Sequence, residues 1–284
     1  MTAIRRILVA LDASPHSRVA VEIAAELASR IEAELMGLFV EDVDLLRLAN
    51  APYAREILYA SALESSLTSS SMESELKAQS EMARNALQTA AQRAQVRWSF
   101  RTVRGHVTEE ILSAAGEADL LAIGKAGWSF TRLPRIGSTA MELTTTAIPL
   151  LLLPDRDVPG SMKLLVYYDG TPAAKRGLLA AAQFAVPGSS GITVLIDGAH
   201  PELAESAQVE TSALVQGKGI PVSYRPVDSR DESSLLRAVS EEQPGIFVLG
   251  SRTLLKKLSF LETFLRDAEI PLLLAGHGSE TEAD

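Results

Sequence analysis

The sequence predicts an α/β protein made of two tandem, doubly wound units, each a five-stranded parallel sheet of order 3-2-1-4-5 flanked by helices. Three observations predict it. Short aliphatic runs alternate with amphipathic stretches along the chain, which is the pattern of β-α-β units. A long internal repeat is present: RRILVALDASPHSRVAVEIAAELA from Arg5 is echoed by MKLLVYYDGTPAAKRGLLAAAQFA from Met162, and ADLLAIGKAG before IPLLLLPD is echoed by PGIFVLGSRT before IPLLLAGH. The 284 residues also suit two domains of average size, each able to bury a core. The copies read as residues 1–154 and 162–284, joined by a linker at 155–161 where DRDVPGS gathers proline, glycine and charge.

In the first copy, aliphatic runs predict strands near residues 5–11, 34–40, 96–103, 120–124 and 149–153. Ser14 is the expected N-cap of the first helix and Pro15 its first residue, with Val19, Ile23, Leu27 and Ile31 repeating every fourth position. Asp12 is then not needed as a cap. The third strand alternates Val96, Trp98 and Phe100 with Arg97, Ser99 and Arg101, as an edge strand should and a doubly buried strand should not. Before it lies an insertion at about 44–71. Asp12 and Gly124 are 112 positions apart, whereas Asp169 and Gly250 are 81 apart. Leu45, Leu46, Leu48, Ile57, Leu58 and Tyr59 fit a short helix packed on its own domain, or else a lid or partner-binding surface. Ser65 to Ser71 reads as a mobile connection, and a long helix is expected over 72–94. In the second copy, strands are expected near 163–168, 192–196, 222–227, 246–249 and 271–275.

Composition excludes several functions. The net charge of −9, with no basic patch, argues against nucleic-acid binding. With no cysteine there is no disulfide or thiolate metal site, and the four histidines, at 16, 106, 200 and 277, lack ligand spacing. The apolar run near the N-terminus is too short for a signal peptide and no stretch approaches a membrane span, so a cytoplasmic protein is expected. No P-loop, G-x-S-x-G elbow or H-x-G-H motif occurs.

The stretch GKAGWSFTRLPRIGST, from Gly124, carries the strongest chemical signal. It has three glycines, two arginines and a Ser-Thr pair, with no histidine or carboxylate, so it suits approach to an anion better than acid-base chemistry. In a sheet of order 3-2-1-4-5, strands one and four are neighbours where the winding reverses, and ligands bind outside their carboxyl ends. Asp12 ends strand one and Gly124 ends strand four. Ser138 and Thr139 open the next helix, whose N–H groups favour phosphate. The same glycines would also suit a plain connector, and aspartate is common after strands.

Gly124, Gly127, Gly137 and Ser138 reproduce the spacing Gly, two residues, Gly, nine residues, Gly, Ser/Thr, and with it the chain resembles the universal stress proteins in their tandem form. The resemblance spans nearly the whole chain but is weaker in the second copy. It implies ATP, with or without Mg2+, one per chain, and no clear catalytic apparatus. By resemblance, Ala10, Leu11 and Asp12 contact the adenosine, the Asp12 carboxylate accepting from ribose hydroxyls, and the Val40 backbone reads the adenine edge. Gly124 and Gly127 lie under the phosphates; Gly137, Ser138 and Thr139 donate to them. The implied role is a stress-response or signalling module. A slow ATPase or phosphotransferase, or a structural interaction protein without nucleotide, are its rivals. The second copy keeps Asp169, Thr171 and Pro172, but its loop reads GSRTLLKKLSFLET and retains only Gly250. It is expected to be a degenerate domain that pairs with the first, with or without a further homodimer, Leu254, Leu255, Leu258 and Leu261 filling the vacant crevice.

Overall fold

The computed structural model describes residues 3–51, 55–58, 63–66, 68–124, 138–144, 148–154, 163–186, 191–197, 201–228, 231–250, 264 and 270–276. In the amino-terminal half, the aliphatic runs form β1 (Arg6–Leu11), β2 (Glu34–Asp42), β5 (Trp98–Gly105), β6 (Leu120–Gly124) and β7 (Leu150–Leu153). Between them lie α1 (Pro15–Arg30), α2 (Val43–Ala49), a hairpin of β3 (Arg55–Leu58) and β4 (Leu63–Ser66), α3 (Ser69–Ala94), α4 (Val107–Ala115) and α5 (Ser138–Leu143). The carboxy-terminal half contains β8 (Leu164–Tyr168), α6 (Pro172–Phe184), β9 (Ile192–Asp197), α7 (Pro201–Val215), β10 (Val222–Val227), α8 (Glu232–Glu242), β11 (Ile246–Leu249) and β12 (Leu272–Leu274).

The strands make one ten-stranded sheet in the order β10-β9-β8-β11-β12-β7-β6-β1-β2-β5. Each half of that order is 3-2-1-4-5, as predicted, and β5 is an edge strand, as its alternation requires. Every pairing of this sheet within a half is parallel, and the β3–β4 hairpin forms a separate antiparallel pair. The two halves meet through a single antiparallel pair, in which Leu150, Leu151 and Leu152 face Leu274, Leu273 and Leu272. Leu151 and Leu273 pack on one face of the sheet, beneath α1, α3, α6 and α7. Their neighbours pack on the other face, beneath α4, α5 and α8. Each core therefore runs unbroken across both halves. A buried leucine contributes about 2 kcal/mol, so these six tie the halves together strongly. Gln183 Oε1 on α6 also accepts from the Ile4 N–H at 2.7 Å, a second link between the halves.

The insertion differs from its expected form. Ser65 and Ser66 belong to β4, and Thr68 to Ser71 form a capping box rather than a mobile connection: the Thr68 hydroxyl accepts from the Ser71 N–H while the Ser71 hydroxyl accepts from that of Thr68. These bonds satisfy otherwise orphaned donors, and α3 accordingly starts at Ser69 instead of Met72. The short helix is α2, which packs on α3 through the partly buried Leu46 and leaves Leu45 and Leu48 exposed. The proposed stripe at Leu254, Leu255, Leu258 and Leu261 lies outside the described residues. Phe264 is fully buried against Phe247, with ring centroids 5.2 Å apart.

Candidate functional site

The reversal of winding brings the carboxyl ends of β1 and β6 together. Ala10 pairs with Ile123, and Gly124 follows at the end of β6. On the other side Leu11 pairs with Phe39, so Val40 stands level with Asp12. Ala10, Leu11, Asp12, Val40 and Gly124 thus share one edge of three adjacent strands.

Their side chains divide between the two faces because strand residues alternate. Ala10, Val40, Val103, Val107 and Ile123 are partly buried and form an apolar surface on the α4 and α5 side. Leu11 points the other way into the core, leaving its backbone at the edge. Thr139 is half-buried on α5, whose Ala140 and Leu143 anchor it in the core. Ser138 begins α5, which spans only six residues. Gly127 and Gly137 lie outside the described residues, as do Arg132 and Arg135.

Asp12 has a local structural role. Its Oδ1 accepts from the Ser14 N–H at 3.0 Å. Ser14 caps α1, as predicted, its hydroxyl accepting from the Ser17 N–H at 3.1 Å, with Pro15 in the first turn. Between them Ala13 adopts a left-handed conformation with φ of 58°. Asp12 therefore holds the strand-to-helix turn without serving as the cap.

One wall of the site was not foreseen. β2 and β5 continue past the end of β1 through the pairs Glu41↔Arg104 and Asp42↔Gly105. Arg104 donates to Glu41 at 2.8 Å and to Glu73 of α3 at 3.2 Å, and these carboxylates, Glu41 foremost, raise its pKa. Immediately beyond, His106 occupies the N-cap position of α4 without a capping hydrogen bond. Its Nδ1 lies 3.3 Å from Asp44 Oδ2, and Asp44 Oδ1 accepts from Arg47 at 3.1 Å. Asp44 and His106 are remote in sequence, and only the pairing of β2 with β5 brings them together. Among the described residues, no cluster of histidine and carboxylate groups is arranged to hold a metal, and no helix is long and apolar enough to cross a membrane.

The family model described as the universal stress protein family matches residues 3–154. Among solved structures, a universal stress protein from Archaeoglobus fulgidus DSM 4304 is similar over 96% of this chain and 98% of its own, with a TM-score of 0.73 at 17% identity. A functionally unknown protein from Pseudomonas aeruginosa PAO1 is similar over 96% of this chain and 92% of its own, with a TM-score of 0.52 at 12% identity. No curated protein matches. At such identities the structures attest the fold across both halves, and the family model attests the relationship. The chain belongs to the universal stress protein family.

Proposed function

We propose that this protein is a nucleotide-binding module that holds one ATP per chain at the carboxyl edge of β1 and β6, in a stress-response or signalling role. The observation that carries this reading is the adjacency of Ala10 and Ile123, which brings the strand end at Asp12 beside the glycine-spaced segment that begins at Gly124. The adenosine lies on Ala10, Leu11 and Asp12, with its base against the backbone of Val40. Gly124 and Gly127 allow the phosphates close to the backbone, and Gly137, Ser138 and Thr139 donate to them. The apolar surface formed by Ala10, Val40, Val103 and Ile123 suits a flat heteroaromatic base. Mg2+, where present, travels with the nucleotide.

Titration of the full-length chain with ATP, together with mass spectrometry of ligand released from gently purified protein, tests this reading. The stoichiometry should be near one, and ATP at 100 times its dissociation constant should add about 2.7 kcal/mol of stability. For a chain of this size that corresponds to a Tm shift of roughly 4–5 °C. No shift with any adenine nucleotide would overturn the proposal, and a stoichiometry near two would overturn its restriction to one half.

A further inference from the structure

We infer that His106, steadied by Asp44, is the residue that covers the base of the bound nucleotide. This assignment rests on the proposed ATP site and extends it to a residue that no sequence motif marks. Val40 is level with Asp12, and the β2–β5 pair continues for two further rows. At about 3.3 Å per residue, that wall stands roughly 7 Å beyond Asp12. His106 follows the top row directly on β5, and Asp44 lies in the first turn of α2, directly after β2.

Distance across the sheet decides what this pair can do. β5 and β6 are separated by three strand spacings, roughly 14 Å. A nucleotide whose base lies at Val40 and whose phosphates reach the segment after β6 extends away from β5. His106 therefore stands at the base end, far from the terminal phosphate, and is misplaced as a base for phosphate hydrolysis. Its side chain remains 43% exposed, so it is accessible to a ligand. Asp44 takes up Nδ1 and is itself pinned through its other oxygen by Arg47, leaving the ring face and Nε2 for the ligand. Beside it, Val103 and Val107 extend the apolar surface on which the base rests. The carboxy-terminal half has no histidine after its third strand, where the sequence reads VDSRDESS.

The test compares ATP with inorganic triphosphate in calorimetric titrations of the full-length chain. His106→Ala should weaken ATP about tenfold, as loss of an aromatic face against a base does, and leave triphosphate affinity unchanged. His106→Phe keeps a ring without the Asp44 contact and should recover most of the ATP affinity. In the wild-type protein, the imidazole proton resonance absent from His106→Ala should shift on addition of ATP and stay fixed with triphosphate. Asp44→Ala should move that resonance in the ligand-free protein and weaken ATP two- to threefold. Unchanged ATP affinity in His106→Ala, or equal losses for ATP and triphosphate, would overturn the assignment. A wild-type protein that fails to bind ATP would instead remove the nucleotide site and this assignment with it.

Discussion

The two halves build the same turn after their first strands, and the comparison separates what the fold needs from what a ligand would need. Asp169 Oδ1 accepts from the Thr171 N–H at 3.1 Å, just as Asp12 accepts from Ser14. Thr171 then caps α6 as Ser14 caps α1, with proline following in both. The intervening residue is left-handed in both, Gly170 with φ of 79° and Ala13 with φ of 58°. Alanine pays about 1–2 kcal/mol for that conformation, a cost glycine avoids. The carboxy-terminal half keeps the aspartate while lacking the glycine spacing that follows Gly124. The aspartate is therefore a requirement of the turn, and its presence alone does not mark a nucleotide site.

Glycine at the end of the fourth strand teaches a similar lesson. A Cβ on Gly250 would lie 2.3 Å from the Ala173 carbonyl oxygen and 2.6 Å from the Ala174 nitrogen, so the first turn of α6 rests directly on Gly250. This glycine serves packing. Gly137, by the proposed reading, serves binding. The sharpest test of the contrast is to substitute both. Gly137→Val should weaken ATP binding at least 100-fold, equivalent to about 2.7 kcal/mol, with the circular dichroism spectrum unchanged. Gly250→Ala should do the reverse, costing about 1–3 kcal/mol of stability as the backbone is forced apart, with ATP affinity retained. A folded Gly137→Val chain that binds ATP normally would show that the phosphates lie elsewhere.

The paired aspartates give a smaller and more discriminating effect. Asp12→Ala and Asp169→Ala each remove a hydrogen bond to backbone at the turn and should each cost about 1 kcal/mol in denaturant unfolding. Only Asp12→Ala should also weaken ATP, by about 1.5–3 kcal/mol if its carboxylate accepts from the ribose. Equal stability losses with no change in ATP affinity for either variant would reduce Asp12 to the turn-holding role of its counterpart.

Much of this comparison was legible in the sequence. Every strand of the ten-stranded sheet was, because short apolar or alternating runs bounded by turn signals have few other uses in an α/β chain. The edge position of β5 was legible because only one face of an edge strand so placed needs to be apolar. The junction was not. LLLL and LLL are buried on both faces, and a uniformly apolar run carries no information about which strand pairs with it or in which direction. The β3–β4 hairpin was missed for want of a two-residue turn signal between its strands. The cap at Thr68 carried a readable pattern, but with serine at the third helical position instead of the usual glutamate or glutamine. For the candidate site, the strand order implied which ends meet, so Asp12 and Gly124 could be grouped in advance, whereas Ala10 and Val40 entered only through the family resemblance. The wall above Val40 could not, since the extra length of β2 and β5 reveals itself only in their mutual register.

The weakest expected effect comes from the place where the halves diverge within the repeat itself. Leu11 corresponds to Tyr168, which is buried and donates its hydroxyl to Glu210 on α7 at 2.6 Å. Burial, and then the neighbouring carboxylate, raises the Tyr168 pKa, so the phenol stays protonated as a donor. Glu210 also pairs with Lys175 of α6, and that ammonium, followed by the Tyr168 hydroxyl, lowers the Glu210 pKa from its ordinary 4.5. Because the folded value lies below the unfolded one, the charged form contributes stability that is fully present above about pH 4.5 and is lost as the pH falls through the lowered value. The groups are well exposed, with Lys175 and Glu210 side chains 39% and 41% accessible, so screening limits the gain to about 0.5 kcal/mol. Glu210→Gln keeps an acceptor for Tyr168 and removes only the charge. Its Tm should fall about 1 °C below wild type at pH 7, and the gap should close as the pH falls through the lowered Glu210 value. ATP affinity at pH 7 should not change, since this cluster belongs to the half without the glycine-spaced segment. A gap that does not narrow as the pH falls below 4.5 would mean that shape, not charge, holds α6 to α7, and a change in ATP affinity would mean that the halves are coupled through the sheet they share.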